Sequence, residues 1–484
     1  MASTGGLSAL PRKERGDGEK NQYCGLVSRD SQETGRKGGR KAAKGNVAFR
    51  LWERRTVMNI TVIGMGYVGI VTAACLADLG HRVVGVEKDP EKVELLNRGI
   101  SPIYEVGLVD LLRKLVGRNL QFTVEAGEAV RGSEVIFITV GTPTGEDGNA
   151  DMTQVLEAAS EIARNLNGYK VVVNKSTMPV GSTRMVERVI QEKAPGEEFD
   201  VVSNPEFLRE GTAVRDFMHP DRIVIGTDSP RATAVMTELY RPIKAPLFIT
   251  DPASAEMIKY ASNAFLATKV SFINAIANIC EAVDADVKEV ALGMGYDRRI
   301  GFEFLKAGPG FGGSCFPKDC RALLEIARRA GYEFYLLEGV LEVNQRQKER
   351  MVEKAERYLG SLEGKTVAAW GLAFKANTDD VRESPALEII RMLLDKGARV
   401  KAYDPKAMDN ARKVMSGPEY VDSALEAARD ADLLMILTDW EEFRVQDFSR
   451  VREVMRGRGI IDTRNCLDPA SIRRLGFEYQ GVGR

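Results

Sequence analysis

The sequence predicts an α/β protein in which two parallel-sheet domains are joined by a central helical region. Short apolar strands alternate with helical segments from Asn59 to about residue 250 and again after Gly360, and a long apolar helical segment lies between them. At 484 residues, of which 44% are hydrophobic and 28% charged, the chain is long enough for about three globular domains. We place them at 58–250, 251–350 and 351–484.

Residues 1–57 differ in composition from the rest of the chain. They are rich in Gly, Ser, Lys and Arg, carry 13 Lys and Arg against 6 Asp and Glu, and show no sustained periodicity, which predicts a disordered basic extension. Such an arm could bind polyanions or serve in targeting. An incidental extension is the favoured interpretation, because Met58 begins a natural first strand. Deleting residues 2–57 is therefore expected to leave activity intact.

Composition argues against several classes of protein. There is no uncharged apolar run of 18 residues and no basic segment followed by an apolar core at the start, so neither a membrane span nor a secretory signal is predicted and a cytoplasmic location is expected. Six scattered cysteines predict reduced thiols and no metal site. The two histidines, His81 and His219, are expected in solvent-facing structural positions. Lys, Asp, Glu and Cys must then carry any proton transfer and nucleophilic chemistry.

The first predicted strand and helix enclose a glycine-rich turn. The β-branched run 60–63 is followed by the motif Gly64–Gly69 (GMGYVG), then by an apolar helix, and the next strand ends in Glu87. GxGxxG between strand and helix, followed by an acid, is the fingerprint of a Rossmann-like dinucleotide site. The glycines allow close approach of a pyrophosphate, while Glu87 would accept hydrogen bonds from ribose hydroxyls and repel a 2′-phosphate. NAD is predicted rather than NADP, although the adjacent Lys88 weakens that preference.

Two further strands of this domain end in polar residues. The strand Glu134–Val140 runs into Gly141 and Thr142, and Tyr169–Val173 runs into Asn174–Thr177. Ligands bind at the carboxyl ends of strands in open α/β sheets, so these side chains are candidates for ligand contacts. Helix capping by Ser and Thr is an equally good interpretation.

The central region, 251–345, is predicted to be helical, with one long helix from Ala253 to Val283. Apolar residues lie on most faces of this helix, as expected for a central helix shared with a partner subunit. Lys259 and Asn263 are spaced i, i+4 and share one of its faces. On so apolar a helix the two either have polar partners or, as the alternative, Lys259 simply reaches solvent.

A nucleophile site is predicted at Gly312–Asp319 (GGSCFPKD). Pro317 suits the first position of a helix, which puts Cys315 just before the first turn. There the helix dipole and Lys318 are expected to favour thiolate over thiol. A small, inert, buried cysteine is the alternative.

A second α/β pattern begins after Gly360. The segment Lys365–Gly371 is predicted as a strand, Ser384–Lys396 as a helix and Gly397–Asp404 as a strand with a terminal acid. This order repeats that of the first half, which suggests two similar nucleotide-binding halves. Because the second half lacks GxGxxG, it is predicted to bind something other than a dinucleotide.

Together these motifs resemble the UDP-glucose/GDP-mannose dehydrogenase family over essentially all of residues 58–470. The resemblance implies NAD-dependent oxidation of the C6 alcohol of a nucleotide sugar to a carboxylate in two steps, without release of the aldehyde and with two NADH formed. Phe316 and the Ala307–Gly312 loop favour UDP-glucose, giving UDP-glucuronate; GDP-mannose and UDP-N-acetylhexosamines are the alternatives within the family. The matching motifs are Gly64–Gly69, Asn204–Leu208, Gly310–Asp319, and Phe374–Lys375 leading to Arg382–Ser384.

The resemblance also implies roles for single residues. The implied catalytic set is Cys315 as the nucleophile of a thiohemiacetal and thioester, Lys259 and Asn263 at the oxyanion, Asp319 with Lys259 in proton transfer or water activation, Glu206 as acid–base in thioester hydrolysis, and Thr177 holding a water. With the turn glycines, the implied NAD contacts are Gly64, Gly66, Val68, Gly69, Glu87, Lys92, Thr142, Ser176, Thr177, Glu210, Lys318 and Arg382. The implied nucleotide-sugar contacts are Glu206, Phe207, Leu208, Arg209, Glu210, Lys259, Asn263, Arg299, Phe304, Leu305, Lys306, Ala307, Gly308, Gly312, Phe374, Lys375 and Arg464.

Assembly is also implied by the resemblance. In the family the arginine matching Arg299 reaches the neighbouring subunit's site, so a homodimer or a larger homo-oligomer is expected, with no nucleic-acid or membrane partner. Asn174 stands where many members carry a glutamate, which leaves the local NAD geometry open. Two other classes remain as rivals: a one-step dehydrogenase that uses only the first domain and not Cys315, and a sensor that binds a nucleotide sugar without turnover.

Overall fold

The computed structural model describes residues 57–143, 145 and 150–484. The predicted extension 1–57 lies outside the described residues, apart from Val57. A first sheet of eight strands has the order β3-β2-β1-β4-β5-β6-β7-β8, and its neighbours are parallel except for the antiparallel pair β6 and β7. Its strands are β1 Asn59–Ile63, β2 Arg82–Val86, β3 Leu120–Thr123, β4 Val135–Ile138, β5 Lys170–Asn174, β6 Phe199–Ser203, β7 Ile223–Gly226 and β8 Leu247–Thr250.

Helices cover both faces of this sheet, which explains why its middle strand β4 is apolar throughout. In β4, Val135 and Phe137 face one core, while Ile136 and Ile138 face the other, as the alternation of a strand requires. The helices of this part are α1 Tyr67–Asp78, α2 Pro90–Asn97, α3 Leu108–Leu115, α4 Ala126–Gly132, α5 Thr153–Arg164, α6 Ser182–Lys193, α7 Ala213–Met218 and α8 Pro230–Tyr240.

The central part contains the long predicted helix, here α9 Pro252–Val283. The Asp251 side chain caps it by accepting from the Ser254 N–H, and it ends at Asp284 in the left-handed region. The region 251–345, predicted to be helical, contains one long segment, residues 296–315, that forms neither helix nor strand. The other helices of this part are α10 Val287–Gly295, α11 Phe316–Arg329 and α12 Tyr335–Leu359.

Among the described residues, α9 is the one helix whose length and composition would allow it to cross a membrane. Its polar side chains Glu256, Lys259 and Asn263 are nevertheless buried, and each bonds to another element of the fold. These contacts are those of a core helix in a globular protein.

The last part contains a second sheet, of order β11-β10-β9-β12-β13-β14 with all neighbours parallel. This order matches that of the first six strands of the first sheet, so the predicted α/β fold with two Rossmann-like halves is confirmed. Its strands are β9 Thr366–Trp370, β10 Arg399–Tyr403, β11 Glu419–Tyr420, β12 Leu433–Ile436, β13 Gly459–Asp462 and β14 Glu478–Gln480. Its helices are α13 Pro385–Asp395, α14 Met408–Val414, α15 Ala424–Ala428, α16 Glu441–Arg444, α17 Phe448–Val454 and α18 Pro469–Arg474.

The prediction of a solvent-facing His81 is wrong. Its ring is buried beside α8, where Nδ1 accepts from the Met58 N–H at 3.2 Å and Nε2 donates to the Leu239 carbonyl at 3.4 Å. Burial lowers the pKa of His81, so it stays neutral and structural.

Candidate active site

The glycine-rich turn between β1 and α1 borders a cavity of about 1060 Å³ at the carboxyl end of the sheet. Gly64 has φ +97°, and a Cβ on Gly69 would lie 1.9 Å from the Gly64 carbonyl oxygen, so this turn requires glycine. Gly64, Gly66, Glu87 and Lys92 line the cavity. A turn of this shape at a helix N-terminus fits a dinucleotide pyrophosphate.

The groups around Glu87 keep its side chain ionised, and a carboxylate can accept hydrogen bonds from ribose hydroxyls. Its Oε1 accepts from the Lys88 N–H at 2.8 Å and its Oε2 pairs with Lys92 Nζ at 3.0 Å. Burial works to raise the pKa of Glu87, but Lys92 and the backbone donors hold it below its ordinary value. The Lys88 ammonium pairs with Glu157 at 2.7 Å and not with Glu87. It therefore does not cancel the negative charge of Glu87, which disfavours a 2′-phosphate.

Thr142 and Ser176 follow β4 and β5, as predicted, but their hydroxyls bond to backbone. Thr142 Oγ1 donates to the Thr177 carbonyl at 2.8 Å, and Ser176 Oγ donates to the Val140 carbonyl at 2.7 Å. These bonds shape the strand ends between the dinucleotide cavity and the site described next.

A second cavity, of about 790 Å³, is lined by side chains from distant parts of the sequence. Lys259 and Asn263 enter it from α9, one helical turn apart, and Cys315 enters it from the residue just before α11. Other predicted contacts on its wall are Phe207, Leu208, Arg209 and Phe304. The structure thus brings the predicted nucleophile and the predicted oxyanion donors together.

A buried ion pair stands at this cavity. Lys259 Nζ donates to Glu206 Oε1 at 2.9 Å, and the two side chains are 4% and 5% exposed. Burial works to raise the pKa of Glu206, but Lys259 and the Leu208 N–H keep it below its ordinary value. Burial works to lower the pKa of Lys259, but Glu206 raises it, followed by Cys315 and Asp319. The pair is therefore an ammonium and a carboxylate at neutral pH.

Asp319 joins the two helices that carry the site. Its buried carboxylate accepts from Asn263 Nδ2 at 2.6 Å and from Lys318 Nζ at 2.8 Å. The Lys318 ammonium is thus paired with Asp319 rather than directed at Cys315. This contact fixes the start of α11 against α9.

The expectation of a lowered Cys315 pKa is wrong. Burial raises the pKa of Cys315 to about 11, and Glu206 and Asp319 add to the rise while Lys259 and Ser314 oppose it. Loss of water around the sulfur and two nearby carboxylates outweigh the helix terminus. The cysteine is therefore a neutral thiol in this structure.

Glu210 connects the first domain with the last. Its carboxylate accepts hydrogen bonds from Ser314 Oγ at 3.0 Å and Thr378 Oγ1 at 3.1 Å. The Arg382 Nη2 atom lies 3.5 Å from Glu210 Oε1. Burial, with Asp380, raises the pKa of Glu210 to about 7. Asp380 also pairs with Arg382, one of the implied NAD contacts, at 2.6 Å.

The loop before Cys315 is held from several sides. Gly308 donates to Asn274 and accepts from Gln347, and a Cβ on Gly312 would lie 2.0 Å from the Glu383 carbonyl oxygen. Leu305 and Ala307 are buried in this loop. Arg464 is fixed by the carbonyls of Leu437 and Phe374 at 2.8 and 2.7 Å.

Two predicted substrate contacts are not brought into the site by this chain. The Arg299 side chain is 89% exposed and pairs with Asp297 at 2.6 Å, and Lys306 is also exposed. Lys375 lies beside the Phe374 ring, 5.4 Å from its centroid. In the described part of the chain no group of three His, Cys, Asp or Glu side chains is placed to hold a metal ion.

Sequence reasoning gave no individual role to three buried residues at this site. Lys175 and Asn204 line the same cavity as Cys315 and Lys259. Glu105 holds the segment that follows Glu210 by accepting from the Gly211 and Ala213 N–H groups at 2.7 and 2.9 Å. A lysine just after a strand with the apolar run Val171–Val173 was the available signal for Lys175. Nothing in the sequence marks Glu105.

Three family models match successive parts of the chain. They describe the UDP-glucose/GDP-mannose dehydrogenase family: its NAD binding domain matches residues 58–244, its central domain 253–346 and its UDP binding domain 368–469. Among curated relatives, the UDP-glucose 6-dehydrogenase TuaD of Bacillus subtilis (strain 168) is 50% identical over 428 residues, which is 88% of this chain and 93% of the relative. The UDP-glucose 6-dehydrogenase of Rhizobium meliloti (strain 1021) is 49% identical and covers 88% of this chain and 100% of the relative.

Solved structures agree with this. A UDP-glucose dehydrogenase from the hyperthermophilic archaeon Pyrobaculum islandicum is 40% identical, with a TM-score of 0.82 and coverage of 88% of this chain and 98% of that one. A UDP-D-ManNAc dehydrogenase from Pyrococcus horikoshii is 28% identical, with a TM-score of 0.78 and coverage of 88% and 99%.

Proposed function

Because this chain belongs to the UDP-glucose/GDP-mannose dehydrogenase family, we propose that it oxidises the C6 alcohol of UDP-glucose to a carboxylate, using two NAD. The observation that carries the proposal is the convergence of Cys315, Lys259 and Asn263 at one cavity, with Asp319 bonded to Asn263 behind it. UDP-glucose is favoured as the sugar because relatives named UDP-glucose 6-dehydrogenase are 41–50% identical, whereas the structures named for N-acetylmannosamine substrates are 25–28% identical.

NAD accepts one hydride in each of the two oxidations when it is bound. The Gly64–Gly69 turn and the N-terminus of α1 suit its pyrophosphate, and Glu87 suits the hydroxyls of a ribose. Lys92 orients that carboxylate through the 3.0 Å ion pair. Arg382 is proposed as the pyrophosphate cation from the last domain.

In the first oxidation the C6 hydroxyl loses its proton and the C6–H bond gives up a hydride, which leaves an aldehyde. Lys259 and Asn263 line the cavity beside Cys315, so their N–H donors are available to the C6 oxygen. An ammonium and an amide fixed in place before the reaction stabilise the negative charge that develops on that oxygen. Lys259 takes the hydroxyl proton when it is in its neutral form.

In the second oxidation Cys315 makes the aldehyde competent to lose another hydride. The Cys315 sulfur bonds to C6 as the C6–O double bond becomes a single bond, and the thiol proton is transferred to the C6 oxygen, which gives a thiohemiacetal whose C6 still carries one hydrogen. Loss of that hydrogen as hydride, and of the hydroxyl proton, leaves a thioester. Because the pKa of Cys315 is raised to about 11, its proton leaves as the bond to C6 forms rather than beforehand.

Hydrolysis of the thioester completes the reaction: water adds to C6, the C6–S bond breaks, and a carboxylate and the Cys315 thiol result. Thr177 and Lys259 share a small cavity with Asn174, whose buried amide oxygen has no hydrogen-bond partner. Such a site offers the polar contacts that a bound water needs. Asp319 and Glu206 are the carboxylates positioned to move its protons.

We also propose that the functional unit is a homodimer or a larger homo-oligomer in the cytoplasm, with domains 58–250, 251–350 and 351–484. Phe265, Phe272 and Ile279 are spaced by seven residues on α9 and are 65%, 48% and 56% exposed. An apolar stripe at this spacing suits a second copy of the helix. Arg299, exposed on this chain, is proposed to complete the partner's site.

The test is incubation of the purified protein with NAD and, separately, UDP-glucose, GDP-mannose or UDP-N-acetylmannosamine. NADH is followed by absorbance and the sugar products by mass spectrometry. We expect two NADH and one UDP-glucuronate per UDP-glucose consumed. One NADH per sugar, no turnover, or a preference for either other sugar would contradict the proposal.

A further inference from the structure

Lys175 is a buried ammonium in the catalytic cavity that has no role in the mechanism above. It follows β5 and lines the same cavity as Lys259 and Cys315, with 6% of its surface exposed. Its Nζ donates to Asn204 Oδ1 at 3.2 Å and lies 5.7 and 5.9 Å from the ring centroids of Phe217 and Tyr240. A neutral amide and two ring faces are its close contacts.

No carboxylate forms an ion pair with Lys175 among the residues that the structure describes. The nearby carboxylate of Glu206 instead bonds to Lys259 at 2.9 Å. Burying an ammonium without a paired carboxylate is unfavourable, because the charge loses its hydration. Such a group either loses its charge, or its charge has a function in the electrostatics of the site.

The charge of Lys175 can affect proton transfer at its neighbours Glu206 and Lys259. Lys259 must lose a proton to accept one from the substrate, and Glu206 would then be a buried carboxylate without its ion-pair partner. With one cation present, Glu206 would take up a proton when Lys259 became neutral, and the pair would merely share it. A second fixed cation keeps Glu206 ionised and makes the Lys259 proton easier to remove.

We propose that Lys175 is a positioning residue that keeps Glu206 ionised while Lys259 releases and regains a proton in each oxidation. The proposal rests on the proposed function. In this proposal Lys175 makes no contact with the substrate. It contributes its positive charge to the group formed by Lys175, Glu206 and Lys259.

The groups that act on Lys175 agree with this assignment. Burial lowers its pKa to about 8; Glu206 opposes that shift and Lys259 adds to it. Repulsion between two ammoniums is mutual, so Lys175 lowers the pKa of Lys259 in turn. The other charged or titratable groups on the cavity wall are Arg209, Arg215, Asp216, His219, Asp221, Arg222, Tyr240, Glu303 and Cys315.

Two substitutions separate charge from hydrogen bonding. Lys175→Gln keeps a donor for Asn204 and removes the charge, while Lys175→Arg keeps both. We measure kcat and kcat/KM for UDP-glucose oxidation against pH, with calorimetric NAD affinity and melting temperature to establish folding. Removing the cation raises the pKa of Lys259, so the rising limb of the Lys175→Gln profile is expected to move up by about one pH unit, with about tenfold lower turnover on that limb. Lys175→Arg should restore the limb.

Asn204→Asp is the second variant, because it places a carboxylate beside an intact Lys175. It should move the limb in the same direction as Lys175→Gln. An unmoved limb in both Lys175→Gln and Asn204→Asp, or equal losses in Lys175→Gln and Lys175→Arg without a pH shift, would overturn the proposal. Failure of the wild-type protein to form NADH would overturn the proposed function instead.

Discussion

Lys259 donates a hydrogen bond of 2.9 Å to Glu206, and both side chains are at least nine-tenths buried. Little of either side chain is exposed to solvent. Removing one therefore leaves an uncompensated buried charge, which is more costly than removing both. This contact joins α9 to the segment that follows β6, and it places an ammonium at the cavity that contains the nucleophile.

We predict that Lys259→Met lowers the free energy of unfolding by about 3–5 kcal/mol, because Glu206 loses its partner. Lys259→Met with Glu206→Gln should recover most of that stability. Both proteins should lose about 100-fold or more in turnover, because the oxyanion donor is gone. Urea unfolding and NADH formation measure the two effects, with the exposed pair variant Glu356→Gln as control. A double variant no more stable than the single one would contradict the account.

The reactivity of Cys315 should follow its raised pKa. Alkylation by iodoacetamide requires thiolate, so its rate at Cys315 should rise about tenfold per pH unit and approach a plateau only near pH 11. Glu206 raises that pKa, so Glu206→Gln should speed alkylation at pH 8. Peptide mass spectrometry identifies the modified residue, and Cys315→Ser gives the background. A plateau at or below pH 8 in the free protein would contradict the burial argument.

Cofactor choice should depend on Glu87. Glu87→Gln removes the charge that receives ribose hydroxyls, so KM for NAD should rise about tenfold while NADP becomes less strongly disfavoured. Steady-state kinetics with both cofactors measure the ratio. Glu125→Gln, an exposed residue on the wall of the same cavity, is the matched control and should leave the ratio unchanged. An unchanged ratio in Glu87→Gln would mean that the carboxylate does not face the ribose.

The exposed stripe on α9 should form the contact between copies. Phe272→Glu places a charge in its middle, so light scattering should show the wild-type mass fall to that of one chain. Val445→Glu, on a more exposed apolar residue outside α9, should leave the mass unchanged. A monomeric wild-type protein, or an unchanged mass in Phe272→Glu, would contradict the proposed interface.

Much of the fold could be predicted because its signals are local. The Gly64–Gly69 turn, the strands around it and α9 each follow from periodicity and glycine within a few residues. His81 could not be placed this way, because its partner Leu239 lies 158 residues away in the sequence. The residues next to His81 in the sequence therefore do not indicate that its side chain is buried.

In the candidate site, too, the features that depend on neighbouring residues could be predicted and those that depend on distant residues could not. The position of Cys315 before α11 was predictable from Pro317 and the glycines, since capping is a local property. The direction of its pKa was not, because Glu206 and Asp319 reach the sulfur only through the folded chain. Lys175 was overlooked for the same reason: its burial against Phe217 and Tyr240 exists only in three dimensions.

The central claim is that oxidation beyond the aldehyde passes through Cys315. Its most direct test is Cys315→Ala, a small change at a partly buried position, incubated with UDP-glucose and NAD and analysed by mass spectrometry of the sugar products. Because no thiohemiacetal can form, we predict that UDP-glucuronate is not produced, while melting temperature and NAD affinity stay at wild-type values. Production of UDP-glucuronate at the wild-type rate by Cys315→Ala would contradict the claim.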